Sequence, residues 1–152
     1  MPADYVARLA QAKAEAVVPR FSGRIIIGAD TVVVIDGFVL GKPRDRADAI
    51  GMLGRLAGRR HEVLTGVTVT DGARSIHGVE ITKVTFAPLD LPAIDSYVKT
   101  GESSDKAGAY AIQGVGSRLV ERIDGSYTNV IGLPIPLVHR IIAEFDSEVE
   151  EA

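Results

Sequence analysis

At 152 residues, 46% of them hydrophobic, and with a net charge of −3, the chain has the size of one compact domain. Such a domain buries roughly 70% of its unfolded surface and needs neither a disulfide nor a structural metal. There is no cysteine, which excludes thiol catalysis, zinc ribbons and a disulfide framework and agrees with a reducing, cytoplasmic setting. No apolar run approaches the roughly 20 residues of a membrane span, and the amino terminus carries no signal-peptide core. Arg44, Arg46, Arg55, Arg59 and Arg60 are interleaved with Asp45, Asp48 and Glu62, so they read as solvated helix faces and not as a nucleic-acid surface.

In chain order, Val6, Leu9, Ala10, Ala14 and Val17 recur at helical spacing, which predicts an amphipathic helix over Ala3 to Val18, stopped by Pro19. Arg24 to Gly28 and Thr31 to Ile35 read as two β-branched strands, with Asp36-Gly37 turning a hairpin into Phe38-Val39-Leu40. A second helix runs from Asp45 or Arg46 to Ala57 and ends at Gly58. Long strands follow over Glu62 to Thr70 and Ser75 to Ala87, joined around Asp71-Gly72. A third helix starts near Asp90, tolerates Pro92 in its first turn and reaches Lys99. Gly101 to Gly116 reads as a functional loop, Leu119 to Ile123 as a short strand, and Pro134 opens a last helix to about Phe145. The expectation is one α/β or α+β domain over residues 1–145 with a mixed sheet, followed by a frayed acidic tail, 146–152.

Asp30 is the residue out of place. It stands in Gly28-Ala29-Asp30-Thr31, between Ile25-Ile26-Ile27 and Val32-Val33-Val34-Ile35. Burying a carboxylate there is costly unless it is paired, neutral, or turned to a metal or substrate. Taken alone, an Asp at a strand edge is also a common turn or cap residue, and this position implies a turn made inside buried structure. Lys42, in Gly41-Lys42-Pro43, is either a surface ammonium after a strand or a contact for an anion such as phosphate. The segment is not a P-loop, since the spacing and the hydroxyl are missing. Gln113, near Gly108, Gly114 and Gly116, either closes its loop or offers an amide to a nucleobase edge. His61, His77 and His139 show no metal-ligand spacing and are assigned structural roles. The serines lack a nucleophile elbow.

Taken together, Ala29-Asp30-Thr31-Val32-Val33, Gly41-Lys42-Pro43, Gly58-Arg59-Arg60-His61-Glu62-Val63-Leu64-Thr65-Gly66-Val67 and Asp105-Lys106-Ala107-Gly108-Ala109-Tyr110-Ala111-Ile112-Gln113-Gly114 resemble the Maf family of nucleoside triphosphate pyrophosphatases. Val120-Glu121-Arg122-Ile123-Asp124-Gly125 and Asn129-Val130-Ile131-Gly132-Leu133-Pro134 extend the resemblance to the last helix. It implies a two-lobed α/β fold similar to that of the inosine-triphosphate pyrophosphatases, and members are commonly homodimers. It also implies a divalent cation, magnesium or manganese, and cleavage of a nucleoside triphosphate to the monophosphate and pyrophosphate. Under the resemblance Asp30 is the proton acceptor and a metal ligand, and Thr31 and Gln113 discriminate between bases in the manner of the dTTP/UTP branch. The same resemblance implies that Lys13, Lys42 and Lys106 would meet phosphate oxygens.

The family pattern opens with a strand ending in Ser-x-Ser-Pro-Arg-Arg and an acidic loop, whereas Met1 here stands just ahead of the first helix. The expectation is a start assigned too late, or a natural truncation that impairs activity. The competing function is a non-enzymatic nucleotide-binding or cell-division regulatory protein.

Overall fold

The computed structural model describes the backbone of residues 1–150 and the side chains of residues 1–147. Helix α1 (Pro2–Val17) begins with Pro2 in its first turn and Asp4 at its positive end. Strand β1 (Ile26–Ile35) turns at Asp36 and Gly37, both at positive φ, into β2 (Phe38–Leu40). Helix α2 (Arg46–Leu56) is capped by the Asp45 carboxylate, which accepts from the Asp48 N–H. The hairpin of β3 (Arg60–Thr70) and β4 (Ser75–Phe86) follows, then α3 (Leu91–Val98), capped by Asp90. Strand β5 (Val120–Asp124), the short helix α4 (Tyr127–Ile131) and α5 (Ile135–Glu150) complete the chain. No described helix is long and apolar enough to cross a membrane.

The mixture of helices and sheet is as expected, but the sheet is not mixed. Its order is β2-β1-β3-β4-β5 and all four neighbouring pairs are antiparallel. Tight turns impose that direction on β1/β2 and β3/β4. The turn expected inside Gly28-Ala29-Asp30-Thr31 does not form. Residues 26–34 pair without interruption with residues 62–70 of β3, and Asp30 faces Gly66 across the ladder. Helix α4 was not anticipated. The last helix passes the expected end at Phe145 and continues to Glu150, so that stretch of the acidic tail is helical, while residues 151 and 152 lie outside the described residues.

Alternation along the strands separates two faces. On one, Val6 of α1 packs with Val32, Val34 and Leu64. On the other, Val33, Ile35, Val63, Val84 and Phe86 join α2 and α3, while Val67 and Val69 meet Val138, Ile141 and Phe145 of α5. Asn129 of α4, fully buried, donates to the Val63 carbonyl at 3.0 Å and to Thr82 Oγ1 at 3.0 Å, tying α4 to β3 and β4. Helix α1 sits unusually close. A Cβ on Gly28 would lie 2.3 Å from the Ala10 carbonyl oxygen, and one on Gly66 would lie 2.3 Å from that of Val6.

His61 has the structural role expected of it. It is 2% exposed, shares a 2.8 Å hydrogen bond through Nε2 with the Tyr110 hydroxyl, and meets Phe86 and Tyr110 edge-on. Burial pushes its pKa down from 6.5 to about 4. Its Nδ1 has no partner among the described residues, so an imidazolium would carry an unmatched donor.

Gly66→Ala forces a methyl against the α1 backbone and is expected to cost about 1–3 kcal/mol, read as a lowered urea midpoint with an unchanged slope. For His61, the unfolded chain takes up a proton below pH 6.5 that the folded chain refuses until about 4. Its contribution is therefore complete above pH 6.5 and is lost as pH falls through that window, on the order of 1–2 kcal/mol between pH 7 and 5. Urea titrations at those two pH values should show this loss, and His61→Gln, which does not titrate, should reduce it.

Candidate active site

A cleft of about 400 Å³ opens where α1, β1, the segment after β2, the loop after α3 and the end of α4 meet. Tyr5, Leu9 and Lys13 lie one turn apart along α1 and form one wall. Leu9, expected in the packed stripe of that helix, is only partly buried and faces this opening.

Asp30 is on the adjoining strand. Its side chain is 15% exposed, and Oδ1 accepts from Lys13 Nζ at 2.5 Å, with the same ammonium 3.2 Å from the Ala29 carbonyl oxygen. The buried carboxylate thus has the cationic partner that its position demands. Thr31, next in the strand, projects to the opposite face. Its Oγ1 lies 2.8 Å from Thr65 Oγ1 and donates to the Gly132 carbonyl at 3.2 Å, which fixes the loop after α4 at the cleft.

Lys42 and Lys106 come from segments far apart in sequence that one backbone bond joins, Gly108 N–H to the Gly41 carbonyl at 3.1 Å. A Cβ on Gly108 would lie 2.7 Å from Val33 Cγ2, so the loop passes close over β1. Lys106 Nζ donates to Asp105 Oδ1 at 3.1 Å. That bond, with the charge of Lys106 and then that of Lys42, holds the Asp105 carboxyl below its ordinary range. Three ammonium groups face two carboxylates in this cleft, leaving one positive charge in excess for an anionic guest.

Of the residues expected at the site, Lys13, Asp30, Thr31, Lys42 and Lys106 all line the cleft. Gln113 does not: it is exposed and precedes a 3-10 turn over Gly114–Leu119. Tyr110 and Ile112 are turned inward, 5% and 8% exposed, and in extended backbone the residue next to an inward one points away. Asp105, Tyr110 and the Val130–Gly132 stretch join the lining without having been singled out. The Tyr5, Leu9, Lys13 spacing held a signal for two of the cleft's members, but it reads equally as an ordinary helix face.

Among the described residues no group of three or more His, Asp or Glu side chains converges, so these residues by themselves build no complete cage for a cation. Asp30 and Asp105 line the same cleft, and their chemistry suits a hard cation, which on a nucleotide is commonly held by one or two carboxylates together with phosphate oxygens.

The sequence pattern of the family described as Maf-like protein matches residues 1–145. A dTTP/UTP pyrophosphatase of Symbiobacterium thermophilum is 53% identical over 144 residues, which is 95% of this chain and 74% of that protein. The dTTP/UTP pyrophosphatase of Geobacter metallireducens is 55% identical over 136 residues, 88% of this chain and 71% of its own length. That of Bacillus mycoides is 45% identical over 151 residues, 99% of this chain and 79% of its own. With the family pattern spanning the cleft and every strand of the sheet, the chain belongs to the Maf family.

Proposed function

We propose that this chain is a nucleoside triphosphate pyrophosphatase acting on dTTP and UTP, with modified nucleotides as a further substrate class. The observation that carries the reading is the convergence of Lys13, Lys42 and Lys106 with Asp30 in one cleft. Relatives about half identical over most of the chain, named dTTP/UTP pyrophosphatases, supply the substrate class.

Water attacks the α-phosphorus, the bond from that phosphorus to the α–β bridging oxygen breaks, and pyrophosphate leaves with the bridging oxygen. Asp30 takes the proton of the attacking water. One oxygen of Asp30 is held by Lys13, which orients the carboxylate and leaves its second oxygen for the water. Lys42 and Lys106 offset the charge of the triphosphate as point charges on the far rim. A divalent cation, magnesium or manganese, held by Asp30 and Asp105 with the phosphates, would supply further charge neutralisation and polarise the phosphoryl oxygens.

Thr31 lines the cleft, and its role in discriminating between bases rests on the family resemblance. The base-reading role of Gln113 rests on the family resemblance alone. A homodimer and a cytoplasmic setting belong to the same reading on that ground, and neither enters the mechanism.

Pyrophosphate release from a nucleotide panel with magnesium or manganese tests the assignment. Asp30→Asn should lower kcat for dTTP and UTP by roughly 100- to 10,000-fold, while nucleotide still raises the melting temperature. Equal turnover by both proteins would remove Asp30 from the role of base, and stabilisation without turnover in the unaltered chain would favour the non-enzymatic alternative. Lys42→Gln should raise KM by ~10-fold and change kcat less, since a charge that holds phosphate before and during the reaction acts mainly on binding.

A further inference from the structure

We propose that Glu102 is a positioning residue: its carboxylate latches the 101–119 loop shut and so sets Lys106 and Tyr110 at the cleft. The inference rests on the pyrophosphatase reading only for its effect on substrate.

Glu102 lies four residues beyond the end of α3 at Val98, just after Gly101 at φ 78. Its Oε1 accepts from the Tyr97 hydroxyl at 3.0 Å and from the Gly116 N–H at 2.9 Å, and its Oε2 accepts from the Val115 N–H at 3.1 Å. The Tyr97 hydroxyl in turn accepts from the Ala111 N–H at 3.0 Å. One carboxylate therefore gathers both ends of a loop whose middle carries Asp105, Lys106 and Tyr110, all cleft residues.

The glycines of this loop are shaped around that carboxylate. A Cβ on Gly114, itself at φ 67, would lie 2.7 Å from Glu102 Oε2. On Gly116 it would lie 2.9 Å from Glu102 Oε1, 2.9 Å from the Tyr97 hydroxyl and 1.8 Å from the Ala111 carbonyl oxygen. Successive N–H groups in such a turn form a concavity that suits an anion. Here the anion is supplied by the chain itself, so the glycine-rich stretch is a closure for its own carboxylate and not a cradle for substrate phosphate. Burial works against ionisation of Glu102, but the bonds from Gly116, Tyr97 and Val115 outweigh it and hold the carboxyl below its ordinary range. Tyr97, fully buried, has its own ionisation pushed up to about 12 by burial, so it stays a donor.

A glutamine has one acceptor oxygen for these three donors, and its amide nitrogen would face an N–H. The test is amide hydrogen exchange on the whole chain, unaltered and carrying Glu102→Gln or Tyr97→Phe, together with steady-state kinetics on dTTP with magnesium. Glu102→Gln should speed exchange across residues 105–116 by about tenfold or more, with β3 and β4 unchanged. It should also raise KM for dTTP by about tenfold while kcat stays within about threefold. Tyr97→Phe should act in the same direction by less, and it keeps the question open to measurement if Glu102→Gln does not fold. Unchanged exchange over 105–116, equal acceleration throughout the sheet, or a mobile loop with unchanged KM would each overturn the latch. If the unaltered chain turns over no nucleotide, the pyrophosphatase reading falls while the exchange comparison still decides the latch.

Discussion

Helix α1 lies on β1 and β3 backbone against backbone, and the position of the Asp30 carboxylate, the proposed base, depends on that contact. The carbonyl oxygens of Val6 and Ala10 occupy the space where side chains on Gly66 and Gly28 would stand. Val6, Ala10 and Ala14, spaced four residues apart, are completely buried at this seam. Lys13 precedes the last of them, and Asp30 is two residues beyond Gly28 and directly across the ladder from Gly66. The small residues at the seam thus bring the ammonium to the carboxylate at 2.5 Å. A larger residue in either strand would lift the helix and separate the pair before any polar group had been changed.

That contact also answers how a carboxylate survives among apolar strands. Asp30 is largely covered, yet Lys13 is more than half exposed, so the pair combines a close partner with partial hydration of the cation. Such a pair avoids much of the cost of burying both ions. The remaining cations come from the other side. Lys42 and Lys106 are carried by segments that one backbone hydrogen bond ties together, and the loop holding Lys106 closes on Glu102. The cleft is therefore assembled from two independently fixed walls, one set by helix-on-sheet contact and the other by a network of polar bonds.

Much of the architecture was legible because it is governed locally. Helical spacing located α1, α2, α3 and α5 to within a few residues, and Asp36-Gly37 and Asp71-Gly72 marked the hairpins through their tolerance of positive φ. The five-residue helix α4 escaped notice because it is too short for a periodic signal; Ser126 caps it, and Asn129 anchors it through partners in β3 and β4 that are distant in the chain. The turn expected within Gly28-Ala29-Asp30-Thr31 failed for a different reason. A glycine inside a strand signals either a bend or a close approach of another backbone, and only the neighbour tells which. Here the neighbour is α1.

From the sequence alone came the mixture of helices and strands, the identity of the uncommon carboxylate and the candidate ammonium of Lys42, because residue type, periodicity and turn chemistry act over a few positions; Lys13 and Lys106 came from the family resemblance. Tertiary structure decided the rest. It ran β1 straight through Asp30, made the sheet wholly antiparallel, paired Asp30 with Lys13, turned Gln113 out to solvent and committed the loop glycines to Glu102. Each of these outcomes depends on a contact between segments separated along the chain, and no local preference encodes which partner will arrive.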